Sequence, residues 1–348
     1  MKARRADPPP PFNEPGLTRS LVIAPQWIGD AVMTEPLLRR LYARGERLVV
    51  GALPWVAPVY RAMPQVAQVI EFPFAHGGLQ FRERQRLARQ LDAQFDVAYI
   101  CPNSLKSALL PFLARIPRRI GYLGEARVGL LTHRLKNPPK SQRPPMVAFY
   151  SALSGETDLA SDRPHLHLAV AEVEAVLHDL GLQRHAYYVF APGAEFGPAK
   201  RWPTRHFAAL ARQLKLPVVL LGSAKESALC DDILQAVAGL QNPVLNLAGK
   251  TTLAQALSVI EASQCIVSND SGLMHVAAGF AVPQIALFGS SSPLHTPPLN
   301  DKAQVLWLKQ SPNYRPALDC APCFERVCPL GHTRCLNDIQ PQDVLRLL

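Results

Sequence analysis

The 348-residue sequence contains no apolar run that approaches the ~20 residues of a membrane-spanning helix. Its first 16 residues carry basic side chains and a run of four prolines, but they lack the apolar stretch that a secretory signal needs. We therefore expect a cytoplasmic protein whose Pro-rich N-terminal extension, residues 1–18, is extended or disordered.

Two motifs of cofactor and metal chemistry are also missing. No GxGxxG fingerprint follows the first predicted strand, so the sequence lacks the main motif that would indicate a dinucleotide-dependent dehydrogenase. No Asp-x-Asp pair is present that could hold a metal ion against a nucleotide. We therefore expect an active site without a cofactor and without a metal ion.

The basic residues are concentrated in the first half of the chain. Residues 1–150 contain 22 Lys and Arg against 10 Asp and Glu, whereas residues 151–348 contain 15 against 17. A basic domain suits a nucleic acid, an anionic membrane surface or a phosphorylated acceptor, and it can also serve solubility alone. Aromatic residues do not alternate with the basic ones as base stacking requires, so nucleic acid ranks last.

Short apolar runs alternate with helical patterns, which predicts parallel sheets covered by helices on both faces. A polar, turn-rich segment at 154–164 separates two such series. We predict an α/β protein with two doubly wound, Rossmann-like domains that face each other across a cleft. The N-terminal domain is expected at 19–160 and the C-terminal domain at 161–348, with ligands at the strand carboxyl ends.

The individual elements follow from the same patterns. In the first domain, strands are predicted at 21–24, 48–50, 69–72, 96–100 and 119–122, and helices at 30–45, 81–91 and 105–114. In the second domain, strands are predicted at 187–191, 218–221, 244–247, 265–268, 284–288 and 305–308. A helix at 252–262 is expected to follow a capping Thr251.

The segment APGAEFGPAKRWP, residues 191–203, is a candidate phosphate site. It joins a predicted strand to a helix through glycines at 193 and 197, and Lys200 precedes the helix. Free backbone N–H groups, a lysine and a helix N-terminus suit a diphosphate. It is not a Walker A loop, because Pro198 and Ala199 separate the lysine from the second glycine. A plain turn with a solvated basic pair is the alternative.

A second candidate is CIVSNDSGLMHVAA, residues 265–278. A short strand leads through a turn into a helix that carries His275, and Asp270 or Ser271 could cap that helix. Simple capping and a buried core histidine are the alternatives. Two anion-receptive loops at strand carboxyl ends in one half of the chain nevertheless favour a binding site.

Asp30 lies where the first predicted strand meets the first helix, directly after Gly29. It is either an N-cap, worth ~1 kcal/mol, or a carboxylate that accepts a proton from a bound hydroxyl.

Four cysteines lie close together near the C-terminal end, at positions 320, 323, 328 and 335, with His332 among them. Their spacing is compatible with a tetrahedral metal site and equally with free thiols in a packed loop.

Together these segments resemble the lipopolysaccharide heptosyltransferases of glycosyltransferase family 9, over nearly the whole chain after residue 18. PGAEFGPAKRWP, SNDSGLMHVAA, GSSSPLHTPPL and CAPCFERVCPLGHTRC carry the resemblance. The family has the GT-B fold, and its members add L-glycero-D-manno-heptose from ADP-heptose to the inner core. The resemblance implies an inverting transferase whose acceptor is heptosyl-Kdo2-lipid A, at the cytoplasmic face of the inner membrane.

The family motifs also imply residue roles. Asp30 corresponds to the catalytic base, and Lys200 to a catalytic residue that contacts the donor phosphates. The other implied donor contacts are Gly193, Glu195, Glu226, Thr251, Asp270, Ser271, Gly272 and His275.

Acceptor and membrane contacts are expected from the basic first domain. The candidates are Arg82, Arg84, Arg86, Arg89, Lys106, Arg115, Arg118 and Arg119, each of which could equally lie on a solvated helix face. Three other functions stay open: a relative that adds a different core heptose, a non-catalytic nucleotide-sugar-binding protein, and a hydrolase of a nucleoside diphosphate sugar.

Overall fold

A computed structural model of the protein describes residues 16–75, 78–139, 142–157 and 162–348. The chain divides into two compact units, the first ending at His167 and the second beginning at Leu168. The predicted N-terminal extension lies almost wholly outside the described residues. Within the described ranges no helix is long and apolar enough to cross a membrane.

The first unit is built on a parallel sheet of six strands. They are β1 (Thr18–Ile23), β2 (Glu46–Ala52), β3 (Val66–Glu71), β4 (Val97–Ile100), β5 (Arg118–Tyr122) and β6 (His133–Leu135). Their order is β3-β2-β1-β4-β5-β6, and β6 is the strand that the sequence patterns did not predict. It contains only His133, Arg134 and Leu135, so no apolar run identifies it.

The helices of this unit pack around the sheet. They are α1 (Ile28–Met33), α2 (Glu35–Ala43), α3 (Ala57–Arg61), α4 (Phe81–Gln90), α5 (Leu105–Leu113) and α6 (Met146–Ser151). The prediction of one helix over 30–45 was wrong. Pro36 has no N–H to donate to the carbonyl of Val32, so the helix is interrupted at Thr34. The hydroxyl of Thr34 donates to Ala31 O at 2.7 Å.

The segment 162–167 belongs to the first unit, whereas the sequence placed the domain boundary at 160/161. The Asp162 carboxylate pairs with the Arg40 guanidinium at 2.7 Å. The backbone N–H of His165 donates to the Glu35 carboxylate at 3.0 Å, and that of His167 donates to Ala62 O at 2.7 Å. These contacts hold the segment against α2 and the end of α3.

The second unit repeats the architecture. Its parallel sheet has the order β12-β11-β10-β7-β8-β9. The strands are β7 (Tyr188–Ala191), β8 (Val218–Leu220), β9 (Val244–Asn246), β10 (Cys265–Asn269), β11 (Gln284–Leu287) and β12 (Ala303–Leu306). All six predicted strands are confirmed within two residues at each end.

The helices of the second unit are α7 (Val170–Asp179), α8 (Thr204–Ala211), α9 (Ser227–Ala236), α10 (Leu253–Glu261), α11 (Gly272–Gly279), α12 (Arg334–Asn337) and α13 (Pro341–Leu345). The predicted cap of α10 was off by one residue. Thr252 caps the helix, accepting from Gln255 N at 3.2 Å, while Thr251 precedes the cap. Since every strand pair is parallel, the loops after β7, β8, β9 and β10 share one edge of this sheet.

Candidate active site

The loop after β7 brings Lys200 to the carboxyl edge of the second sheet. Lys200 ends a short 3₁₀ turn, Pro198–Lys200, that follows Gly197. Gly197 has φ +155°, and a Cβ at this position would collide with the backbone carbonyl of Arg326. Only glycine fits so close an approach, so Gly197 fixes the path of the loop to Lys200.

Lys200 forms an ion pair with Asp270, the residue directly after β10. Its Nζ lies 2.5 Å from Asp270 Oδ2, and the two side chains are 18% and 5% exposed, respectively. The Thr296 hydroxyl donates to the other oxygen of Asp270 at 3.4 Å. The buried carboxylate therefore anchors the ammonium group, whose outer side still faces solvent and can meet an anion.

Asn269, the last residue of β10, joins the two candidate loops. Its Oδ1 accepts from the backbone N–H of Trp202 at 2.9 Å, and its Nδ2 donates to Pro192 O at 2.7 Å. Asn269 itself is fully buried. A buried amide with both ends hydrogen-bonded holds the β7 and β10 loops in one fixed register.

His275 lies on α11 behind the ion pair and is buried. Burial lowers the pKa of His275 to about 4 in total, with Asp270 opposing this shift and Lys200 adding to it. The imidazole is therefore neutral at pH 7. Capping by Asp270, the alternative left open by the sequence, is not observed, because the N-cap of α11 is Ser271 and Asp270 binds Lys200 instead.

Several buried hydroxyls around these loops have no hydrogen-bond partner among the described residues. They are the side chains of Ser268, Ser271, Ser290 and Ser291. Ser271 lies at the start of α11, and Ser290 and Ser291 follow β11. Buried hydroxyls normally have a partner, so these serines, of which Ser271 lies at a helix N-terminus, are candidates to bind a polar ligand.

The other expected donor residues occupy the neighbouring loops. Glu226 accepts from the backbone N–H of Ser223 at 2.7 Å and lies so close to Gly193 that a Cβ there would collide with its carboxylate. Glu195 is half-exposed and pairs with Lys225 at 3.0 Å. Thr251 lies after β9. The structure therefore brings Lys200, Asp270 and His275 into one cluster, with Gly193 and Glu226 in contact beside it.

Asp30 belongs to the first unit, in the first turn of α1 after β1. It is not the N-cap, a position occupied by Trp27. The hydroxyl of Tyr150 donates to Asp30 Oδ1 at 3.1 Å. Burial, followed by the nearby Asp30 carboxylate, holds the pKa of Tyr150 well above its ordinary value, so this hydroxyl stays protonated and donates.

Comparison with known proteins identifies the family. Residues 84–333 match the model of "Glycosyltransferase family 9 (heptosyltransferase)". The chain belongs to glycosyltransferase family 9. It is therefore an enzyme, and the predicted transferase class is confirmed.

Relatives of this glycosyltransferase share most of its length. The chain is 41% identical to lipopolysaccharide heptosyltransferase 2 of Salmonella typhimurium, over 94% of the chain and 97% of the relative. It is 40% identical to lipooligosaccharide heptosyltransferase 2 of Haemophilus influenzae, over 83% and 88%. The structure of Escherichia coli ADP-heptose LPS heptosyltransferase II aligns with a TM-score of 0.80 and 39% identity, covering 95% of this chain and 97% of that one. The GT-B type fold with two Rossmann-like units is confirmed.

Three groups in this glycosyltransferase were missed by the sequence patterns. Thr296 and the serines after β11 lie in GSSSPLHTPPL, whose run of hydroxyls at a strand carboxyl end was an available signal. Tyr150 left no such signal, because 120 residues separate it from Asp30.

The basic candidates of the first unit divide into buried and exposed residues. The Arg84 guanidinium is buried, donates to the carbonyls of Leu79 and Lys106, and stacks over the Phe74 ring. Arg119 donates to the carbonyls of Leu130 and Ile116. These two arginines stabilise loops and are unsuited to an external anion.

The remaining arginines differ in their pairing. Arg115 pairs with Asp92, so its charge is balanced locally. Arg115 is nevertheless exposed, as are Arg82, Arg86, Arg89 and Arg118.

Proposed function

We propose that this glycosyltransferase moves L-glycero-D-manno-heptose from ADP-heptose to the first heptose of heptosyl-Kdo2-lipid A. The observation that carries the proposal is the Lys200–Asp270 pair beside the start of α11, at the carboxyl edge of the second sheet. The names of the relatives, which specify heptose transfer to lipopolysaccharide, support the choice of donor and acceptor.

The second unit would hold the donor. The diphosphate would lie against the outer side of Lys200 and the backbone N–H groups at the start of α11. The unpaired hydroxyls of Ser271 and Ser290 would donate to phosphate or sugar oxygens. Glu226, at the end of the β8 loop, is the proposed ribose contact. As the glycosidic bond to ADP breaks, Lys200 would neutralise the charge that develops on the leaving phosphate.

The first unit would supply the base. Asp30 would take the proton from the acceptor hydroxyl as this oxygen attacks the anomeric carbon from the face opposite ADP. A single displacement of this kind inverts the anomeric configuration. The hydrogen bond from Tyr150 to Oδ1 would hold the Asp30 carboxylate in a fixed orientation.

The first unit would also contact the anionic cytoplasmic face of the inner membrane. The exposed face of α4 carries Arg82, Arg86 and Arg89, which we propose as the contact. Each basic residue near an anionic surface contributes about 1 kcal/mol of attraction. Phosphates of the lipid A acceptor would meet the same charges.

Product analysis tests the transferase function. The purified protein is incubated with ADP-heptose alone and with ADP-heptose plus one acceptor at a time. The acceptors are Kdo2-lipid A, heptosyl-Kdo2-lipid A and the diheptosyl form, and mass spectrometry identifies the products. We expect one added heptose on heptosyl-Kdo2-lipid A alone. Extension of another acceptor would make the protein a transferase of a different core heptose. Heptose released without acceptor would indicate a hydrolase, and bound donor without turnover would indicate a binding protein.

The role of Asp30 is tested with the same assay. Asp30→Asn keeps the side-chain shape and removes the base, so turnover should fall by ~100-fold or more while ADP binding is retained. Turnover close to that of the wild type would leave Asp30 a structural role in α1 only.

Vesicle flotation tests the membrane contact. The triple variant R82E/R86E/R89E should float less with anionic vesicles than the wild type does, and neutral vesicles should bind neither protein. A matched control, R205E/R212E/K215E, makes the same charge change at exposed residues of the second unit. Equal loss in both variants would show that net charge, rather than the α4 face, is responsible.

A further inference from the structure

The cysteine-rich segment between β12 and α12 folds around a small cavity. Cys320, Cys323, Cys328 and Cys335 all line it, together with His332, and its volume is about 20 Å³. All four cysteines are free thiols; Cys335 is buried and the other three are half-buried. Four cysteines that are separated in sequence by up to 15 positions therefore line one small cavity.

The surrounding backbone is arranged around one of these sulfurs. The N–H groups of Leu330, Gly331, His332 and Thr333 lie near the thiol of Cys328 and act on it electrostatically. The turn reaches this shape because Gly331 and Thr333 both have positive φ, +69° and +45°. Successive N–H groups around one sulfur favour its thiolate form, which is the form that binds a metal ion.

The thiols are also close to each other. Cys320, Cys323 and Cys328 each act electrostatically on Cys335. His332 is the less suitable fourth ligand, because its Nδ1 already accepts from the backbone N–H of Arg334 at 3.0 Å. Four cysteine thiolates are the donor set of many tetrahedral zinc and iron sites.

We propose that Cys320, Cys323, Cys328 and Cys335 bind one thiophilic metal ion, zinc or iron, in a tetrahedral site. No group of three His, Cys, Asp or Glu side chains in the described ranges already has metal-binding geometry. Binding therefore requires a rotamer change at some of these cysteines.

The site would brace the phosphate loop from behind. The segment between Cys323 and Cys328 is hydrogen-bonded to both donor loops. Arg326 O accepts from Ala199 N at 3.1 Å, next to Lys200, and Phe324 N donates to Ser290 O at 2.7 Å. A metal ion that cross-links this segment would hold Lys200 and Ser290 in place, although it lies outside the donor contacts themselves.

Metal analysis is the first test, and it does not depend on transferase activity. Protein with a non-histidine tag, purified without chelator, should contain about one zinc or iron ion per chain, and elemental analysis distinguishes the two. Cys323→Ser and Cys328→Ser should lower the content to about a tenth or less. Cys265→Ala, a buried thiol at the start of β10, is the matched control and should keep the metal.

Cobalt titration of the reduced, metal-free wild type covers the case in which the cysteine variants do not fold. We expect one equivalent of Co²⁺ to produce the charge-transfer and d–d bands of a tetrahedral thiolate site. A wild type without zinc or iron and without cobalt bands would overturn the proposal. So would intact disulfides among these four cysteines in protein purified under reducing conditions.

The bracing role has its own readout. Metal removal should weaken ADP binding about tenfold, as measured by calorimetry, and restoring one equivalent of metal should recover it. Unchanged ADP affinity in verified metal-free protein would overturn the bracing role. Whether the four cysteines bind a metal ion would still be decided by the metal content. Failure of the proposed transfer reaction would affect neither measurement.

Discussion

Tyr150→Phe isolates the hydrogen bond that orients the proposed catalytic base. The change removes one oxygen atom from a buried ring whose hydroxyl lies 3.1 Å from Asp30 Oδ1. A hydrogen bond to a charged group is worth about 1.5–3 kcal/mol, and each 1.4 kcal/mol corresponds to a tenfold change in rate. If the bond serves mainly to hold the carboxylate toward the acceptor, kcat should fall by roughly 10- to 100-fold.

The other kinetic constants separate positioning from general damage. The KM for ADP-heptose should stay unchanged, because the proposed donor contacts lie in the second unit. The acidic limb of the pH–rate profile should move to higher pH, since a donor that favours the charged carboxylate has been removed. Initial rates over a pH series, with both substrates varied, measure these quantities.

Tyr187→Phe provides the matched control for this substitution. Its hydroxyl is likewise buried and donates to Val259 O at 2.7 Å, in the second unit and outside the donor contacts. The control should lose similar stability and keep kcat. A kcat of Tyr150→Phe within about twofold of the wild type, or an equal loss in both variants, would refute the positioning role.

The remaining predictions concern charges with known surroundings. Lys200→Ala should weaken ADP binding by about tenfold or more in calorimetry, because a phosphate contact is lost, whereas Lys225→Ala should change it by less than about twofold. The pKa of His275 is about 4 in the folded state and 6.5 ordinarily. Below pH 6.5 the unfolded chain therefore gains a proton that the folded protein does not bind. The free energy of unfolding should fall by about 3 kcal/mol between pH 6.5 and pH 4. His275→Gln should flatten this part of a urea-unfolding pH series. Burial raises the pKa of Glu35 from 4.5 to about 7. Its contribution to the stability of the folded state is therefore full below pH 4.5 and is lost as the pH rises through 7. Glu35→Gln should reduce that loss of stability.

Sequence patterns predicted those parts of the fold that depend on local apolar content. Eleven of the twelve described strands contain apolar runs, and these runs were recognised. The exception, β6, has an apolar side chain, Leu135, at only one of its three positions. Pairing with β5, rather than its own composition, makes it a strand. No pattern within three residues could have predicted it.

The candidate phosphate site was predictable for a geometric reason. In a parallel sheet all carboxyl ends share an edge, so loops that look anion-receptive in sequence come together without further information. The ion pair within the site could not be predicted in the same way. Asp270 was expected to cap a helix or contact the donor; in the structure it does not cap α11, and it pairs with Lys200, 70 residues away.

Sequence also does not distinguish buried from exposed arginines, and this difference decides how the basic first unit can be tested. Arg84 and Arg86 stand two positions apart on α4, and in sequence they are equivalent members of one charged run. Carbonyl groups of Leu79 and Lys106 surround Arg84, so glutamate there would be buried against carbonyl oxygens and would destabilise the unit. A charge-reversal variant that includes Arg84 would therefore lose membrane binding by unfolding. Only substitutions restricted to the exposed arginines measure the attraction itself.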